Sequence, residues 1–90
     1  MIKMVLNKCY GGFGLSEEAL KALGVEWESD VDRTDARLVE MVEADPEAVR
    51  DSYAELKVVS LPEETTDYYI DEYDGFESVV YVVDGKLHWA

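Results

Sequence analysis

Two Asp-Gly pairs, Asp74-Gly75 and Asp84-Gly85, bracket the apolar run Phe76-Glu-Ser-Val-Val-Tyr-Val-Val83. A two-residue hairpin turn that suits the twist of its strands needs positive φ at both central positions, and Asp-Gly supplies it at low steric cost. The chain is thus expected to reverse twice in quick succession. Phe76–Val83 becomes the middle strand of three, Tyr68 to Tyr73 runs before it with aromatic residues on both faces, and Lys86 to Trp89 closes the group.

Upstream, Ile2, Met4 and Leu6 alternate with Lys3, Val5 and Asn7, which predicts a first strand with one face buried. Gly11, Gly12 and Gly14 around Phe13 end it. Ser16 then reads as an N-cap, with Glu17 and Glu18 at the positive end of a short helix and Gly24 just past its end. Leu15 and Leu20 have the spacing of a hydrophobic staple. Residues 25–34 read as an acidic connection with room for a short strand at its start. Asp35 to Ala44 fits a helical stripe through Leu38, Val39, Met41 and Val42, although its β-branched content also suits a strand. Asp45-Pro46 starts a further short helix reaching about Asp51, and Leu56, Val58 and Val59 form a strand stopped by Pro62. The expected architecture is a single α+β domain over residues 1–90: an antiparallel sheet of four to five strands with two or three short helices packed on one face.

Ninety residues, 48% of them hydrophobic, suffice to bury a core without cross-links. One cysteine forms no internal disulfide, which points to a reducing, cytoplasmic setting. No apolar run reaches the length of a membrane span or of a signal-peptide core. The net charge of −13 is unevenly spread: residues 16–51 hold twelve acids against four bases, residues 52–78 hold eight against Lys57, and residues 1–15 carry only two lysines. Such a chain is repelled by nucleic acid and by anionic membranes, so direct binding to either is excluded as its main activity. A basic protein surface is the natural complement.

Three groups of residues are candidates for chemistry. The glycine loop, Gly11, Gly12, Phe13 and Gly14 with Ser16 behind it, has the order strand, Gly-rich loop, helix that can hold an anion, with Lys8 or Lys21 nearby. Its spacing matches neither a phosphate-binding Walker loop nor a dinucleotide fingerprint. A tight corner accounts for the same glycines. Cys9 and His88 make a conceivable thiolate pair if their strands are neighbours, yet no second histidine or oxyanion loop accompanies them, so the cysteine is expected to be inert, with no catalytic residues, no metal ligands and no cofactor. Third, Tyr68, Tyr69 and Tyr73 are interleaved with Asp71, Glu72, Asp74 and Glu77. Rings stack on guanidinium groups while carboxylates pair with them, so this cluster is the expected partner-binding site. A solvated strand face, or acidity adapted to high salt, explains the same pattern without a partner.

Asn7-Lys-Cys-Tyr-Gly-Gly-Phe-Gly-Leu-Ser-Glu-Glu-Ala19, Leu56-Lys-Val-Val-Ser-Leu-Pro62 and Asp71-Glu-Tyr-Asp-Gly-Phe-Glu77 resemble a family of small, mostly unassigned proteins of phage and prophage genomes. The chain departs from that family at its end, where Asp84-Gly-Lys-Leu-His-Trp89 replaces a charged segment closing in arginine and tryptophan. The resemblance implies no activity and no catalytic residues. It implies the cytoplasm of a bacterial or archaeal host cell, a context in which small acidic proteins act by stoichiometric binding, as do anti-CRISPR proteins and other inhibitors of host defence nucleases that imitate DNA or occlude its binding channel. The expected function is accordingly a non-enzymatic inhibitor that binds a basic, nucleic-acid-handling surface of a host defence complex, such as a CRISPR effector. The alternative is a small protein that holds, and sequesters, a nucleotide or other anion at the glycine loop.

Overall fold

A computed structural model describes residues 2–90, apart from the side chain of Ser29. Strand β1 (Ile2–Asn7) is followed by α1 (Glu17–Leu23), a 3-10 turn (Glu28–Asp30), α2 (Ala36–Ala44) and α3 (Pro46–Val49). Strands β2 (Leu56–Leu61), β3 (Asp67–Tyr73), β4 (Phe76–Val83) and β5 (Lys86–Trp89) complete the chain. The class is α+β and the five strands pair antiparallel, but they form two sheets: β1 with β2, and β3-β4-β5 with β4 in the centre.

The two sheets and the helices make three layers. Val5, Leu56 and Val58 point to the helices, where they meet Ala19, Leu23, Leu38, Val42 and Val49. Met4, Leu6, Val59 and Leu61 point the other way, onto Val79 of β4. Strand β1 is therefore buried on both faces from Met4 to Asn7, where alternation predicts one. Being in the middle layer, it has a core on either side, so the polar position Asn7 is fully enclosed.

Local signals explain the helices. Ser16 caps α1, accepting from the Ala19 N–H at 3.2 Å, and Gly24 ends it with φ +73°. The Asp35 carboxylate accepts from the Arg37 N–H at 2.8 Å, which decides 35–44 in favour of a helix. Residues 25–27 form no strand, and α3 stops at Val49, short of Asp51. Both Asp-Gly pairs form two-residue hairpin turns, with φ +51° and +90° at 74–75 and +52° and +74° at 84–85. The closing pairs are Tyr73 with Phe76 and Val83 with Lys86.

Candidate functional site

Asn7 ties together three parts of the chain that are distant in sequence. Its amide side chain donates to the carbonyls of Cys9 at 2.7 Å and Gly75 at 2.6 Å, and its Oδ1 accepts from the Glu55 N–H at 2.8 Å. Its backbone N–H donates to Glu77 Oε1 at 2.8 Å. That carboxylate also takes both Nη atoms of Arg33, at 2.6 and 2.9 Å, and the guanidinium lies 3.4 Å from the centre of the Phe13 ring. Glu77, one of the residues expected to meet a partner, is thus buried and engaged inside the molecule. Lys8 reaches the carbonyls of Glu77 at 2.8 Å and Ala90 at 3.2 Å, and burial pushes its pKa down.

The glycine loop is packed against protein. A Cβ on Gly11 would collide with the Tyr53 carbonyl, and one on Gly14 with the Asp51 carboxylate. Gly75 comes so close to the Gly12 backbone that its own Cβ would lie 2.6 Å from the Gly12 nitrogen. These contacts make Gly11, Gly14 and Gly75 steric necessities, whereas an added Cβ at Gly12 meets nothing within 4 Å and its glycine is explained by a φ of +88°. The Asp51 carboxylate beside Gly14 also opposes an anion there. Ser16 is committed to capping α1 and donates its hydroxyl to the Ala48 carbonyl at 2.8 Å. Lys21 lies exposed on α1. The Cys9 thiol donates to the Tyr53 carbonyl at 3.0 Å, whereas His88 stacks on Tyr81 with ring centres 5.3 Å apart. Among the described residues no cluster of three or more His, Cys, Asp or Glu is placed to hold a metal ion.

The tyrosine and carboxylate segment divides between the faces of the outer sheet. Residues paired across an antiparallel ladder share a face. Tyr68, Ile70, Glu72 and Glu77 share the face of Val79, which packs on β1 and β2. The opposite face carries the rows Tyr73–Phe76, Asp71–Ser78, Tyr69–Val80–Trp89 and Asp67–Val82–Leu87. Asp74 sits in the turn at its end. This outward face is strongly apolar for a surface: Tyr69 is 59%, Tyr73 74%, Leu87 56% and Trp89 63% exposed. Val80, between Tyr69 and Trp89, is nevertheless only 1% exposed, so the flanking side chains and the sheet itself cover it. Tyr10 extends the surface, its ring 5.5 Å from that of Phe76. No outward position of the three strands is Lys, Arg or His, and Asp67 and Asp71 supply the charge.

The structure therefore brings Tyr69, Asp71 and Tyr73 together, puts Tyr68 and Glu72 on the other face of the same strand, and removes Glu77 into the interior. Trp89, Leu87 and Tyr10 are additions that the sequence analysis did not single out. Counting outward from the two Asp-Gly turns would have found the first two, because the turns alone set Trp89 and Tyr69 opposite Val80.

No family model matches the chain, and neither the curated proteins nor the solved structures contain a significant match to it. No helix among the described residues is long and apolar enough to cross a membrane.

Proposed function

We propose that the protein is a non-enzymatic binding protein whose outward sheet face docks on a basic, nucleic-acid-handling surface of a host defence complex, inhibiting it in the manner of an anti-CRISPR protein or DNA mimic. The observation that carries this reading is the row Tyr69–Val80–Trp89, exposed at both ends and flanked by Asp67 and Asp71, with no Lys, Arg or His at an outward position of the three strands and Lys8 reaching only the Phe76 ring at the far end of the face, 5.3 Å from its centre. A contiguous apolar patch on a small monomer marks an interaction site more often than chance exposure. Aromatic side chains supply contact energy at low entropic cost, and carboxylates beside them select arginine and lysine over neutral partners. The resemblance to small phage proteins supplies the setting, and the net charge of −13 supplies long-range attraction to a phosphate-binding channel.

The test is capture on the immobilised protein from a bacterial lysate, with the retained proteins identified by mass spectrometry and then purified for affinity measurements. Tyr69→Ala and Trp89→Ala should each cost about 2 kcal/mol of binding if they are central anchors. The double reversal Asp67→Lys with Asp71→Lys should weaken binding further, and duplex or single-stranded DNA should compete. Asp74 is left alone in this design because its φ of +51° makes most substitutions there strained. Binding that ignores salt, charge reversal and competing DNA would overturn the reading.

A further inference from the structure

We infer that β3 is a pairing edge, and that an extended basic segment of the protein partner adds to it as a fourth strand of the outer sheet. The inference rests on the reading above and specifies how the partner engages that sheet. Strand β3 lies at the border of the β3-β4-β5 sheet, and six of its seven residues are exposed.

Its hydrogen-bonding polarity follows from the register. A two-residue turn makes Tyr73 and Phe76 a hydrogen-bonded pair, so Asp71 with Ser78 and Tyr69 with Val80 are hydrogen-bonded too. The intervening residues Tyr68, Ile70 and Glu72 then direct their N–H and C=O groups to the free edge. Two independent contacts agree. Val79, the partner of Ile70, exchanges its backbone bonds with Ala90 on the opposite side, at 3.0 and 2.9 Å. The Tyr68 N–H is taken by its own neighbour, Asp67 Oδ1, at 2.9 Å. Ile70 and Glu72 thus offer a regular donor and acceptor pattern to an incoming strand.

Proteins usually guard such an edge with charged side chains, lysine above all, with proline or with a bulge, and a charge guards only against partners of its own sign or none. Asp67–Tyr73 contains no lysine or proline and pairs with β4 without interruption; its only charges are Asp67, Asp71 and Glu72. Those charges, on a chain of net −13, disfavour a second copy and favour a basic occupant. Arginines at alternate positions of an added strand would fall beside Asp67 and Asp71 and next to the rings of Tyr69 and Tyr73. Backbone pairing then gives affinity and the alternate side chains give selectivity.

The experiment uses the whole protein, isotopically labelled, and three nine-residue peptides with blocked ends. One alternates arginine with valine, one carries N-methyl groups on the amides that would pair, and one has glutamate for arginine. The expected result is binding of the first peptide alone, with amide exchange at Ile70 and Glu72 slowed at least about tenfold at saturation. Equal binding of the N-methylated peptide with shifts at Tyr69 and Trp89 would overturn strand addition while leaving the docking face intact. Failure of the first peptide to slow exchange at Ile70 and Glu72 at millimolar concentration would overturn it as well. Slowed exchange that rises with protein concentration and needs no peptide would mean self-pairing, which also overturns it. The docking reading stands or falls separately, on the salt and DNA-competition measurements.

Discussion

Glu77→Ala should be the most damaging single substitution in the outer sheet, and it should act on folding. The carboxylate accepts three hydrogen bonds, two from Arg33 and one from the Asn7 N–H, with the Glu77 side chain 7% and the Arg33 side chain 20% exposed. Removing one partner of a buried pair strands the other charge, at a cost of about 3–5 kcal/mol. A chain of 90 residues has a total stability on the order of 5–13 kcal/mol at roughly 0.05–0.15 kcal/mol per residue, so the loss is a large fraction of the whole. At about 4–8 °C per kcal/mol for a domain of this size, the melting midpoint should fall by about 12–40 °C. Arg33→Met combined with Glu77→Leu should recover part of that, because it removes both charges and leaves only neutral backbone groups to be compensated, the Asn7 N–H and the Val5 carbonyl that Arg33 Nη1 reaches at 3.3 Å. Chemical denaturation of Arg33→Met, Glu77→Leu and the double variant gives the coupling energy directly. A loss below about 1 kcal/mol for Glu77→Ala, or single losses that simply add, would refute the argument. Affinity for a partner, corrected for the folded fraction, should not change in Glu77→Gln, which separates this residue from the docking face.

Gly14→Ala should cost about 1–3 kcal/mol in denaturation experiments through the collision with the Asp51 carboxylate, which the Tyr53 and Ala54 N–H groups hold in place, each at 2.9 Å. Gly85→Ala tests a different mechanism: nothing lies within 4 Å of the added Cβ but φ is +74°, so about 1–2 kcal/mol of backbone strain should appear with no compensating partner. The carboxyl of Asp32 is held below its ordinary value of 3.8 by hydrogen bonds from Thr34, and that of Asp35 by hydrogen bonds from Arg37. A carboxylate with a depressed folded pKa contributes stability that is complete above its unfolded value and is lost as pH falls through the folded one. Asp35→Asn should therefore flatten the acid side of the stability profile below about pH 4, as followed by circular dichroism.

The outer sheet was legible in the sequence because its determinants are local. Asp74-Gly75 and Asp84-Gly85 each fix a turn, a register and a face without help from distant residues. The α1 cap and Gly24 were legible for the same reason. The division into two sheets was not, since nothing near β1 or β2 in sequence states that β2 ends its pairing with β1 and that β3 begins a new layer. Nor was the burial of Glu77, whose partner Arg33 is 44 positions away and sits in a segment that reads as a solvated acidic connection. A glutamate close in sequence to tyrosines and other acids invites a surface assignment. Its parity relative to the turn, opposite Glu72 and two residues from Val79, already places it on the inner face.

The same geometry sets how variants of the glycine loop must be interpreted. Asn7 holds the Gly75 carbonyl, Gly12 lies against Gly75, Tyr10 leans on Phe76 and Lys8 ties the Glu77 and Ala90 carbonyls together. The N-terminal segment is therefore the brace that fixes the first hairpin and the end of β5, the two elements carrying Tyr69, Tyr73 and Trp89. A bulky residue at Gly12 or Gly14 displaces this brace, and the outward face moves with it. Loss of partner binding in such a variant does not identify the loop as a ligand site. The discriminating pattern is spatial: a loop that binds an anion loses that ligand while the amide signals of Ile70, Val80 and Trp89 stay in place, whereas a displaced brace shifts those signals before any ligand is added.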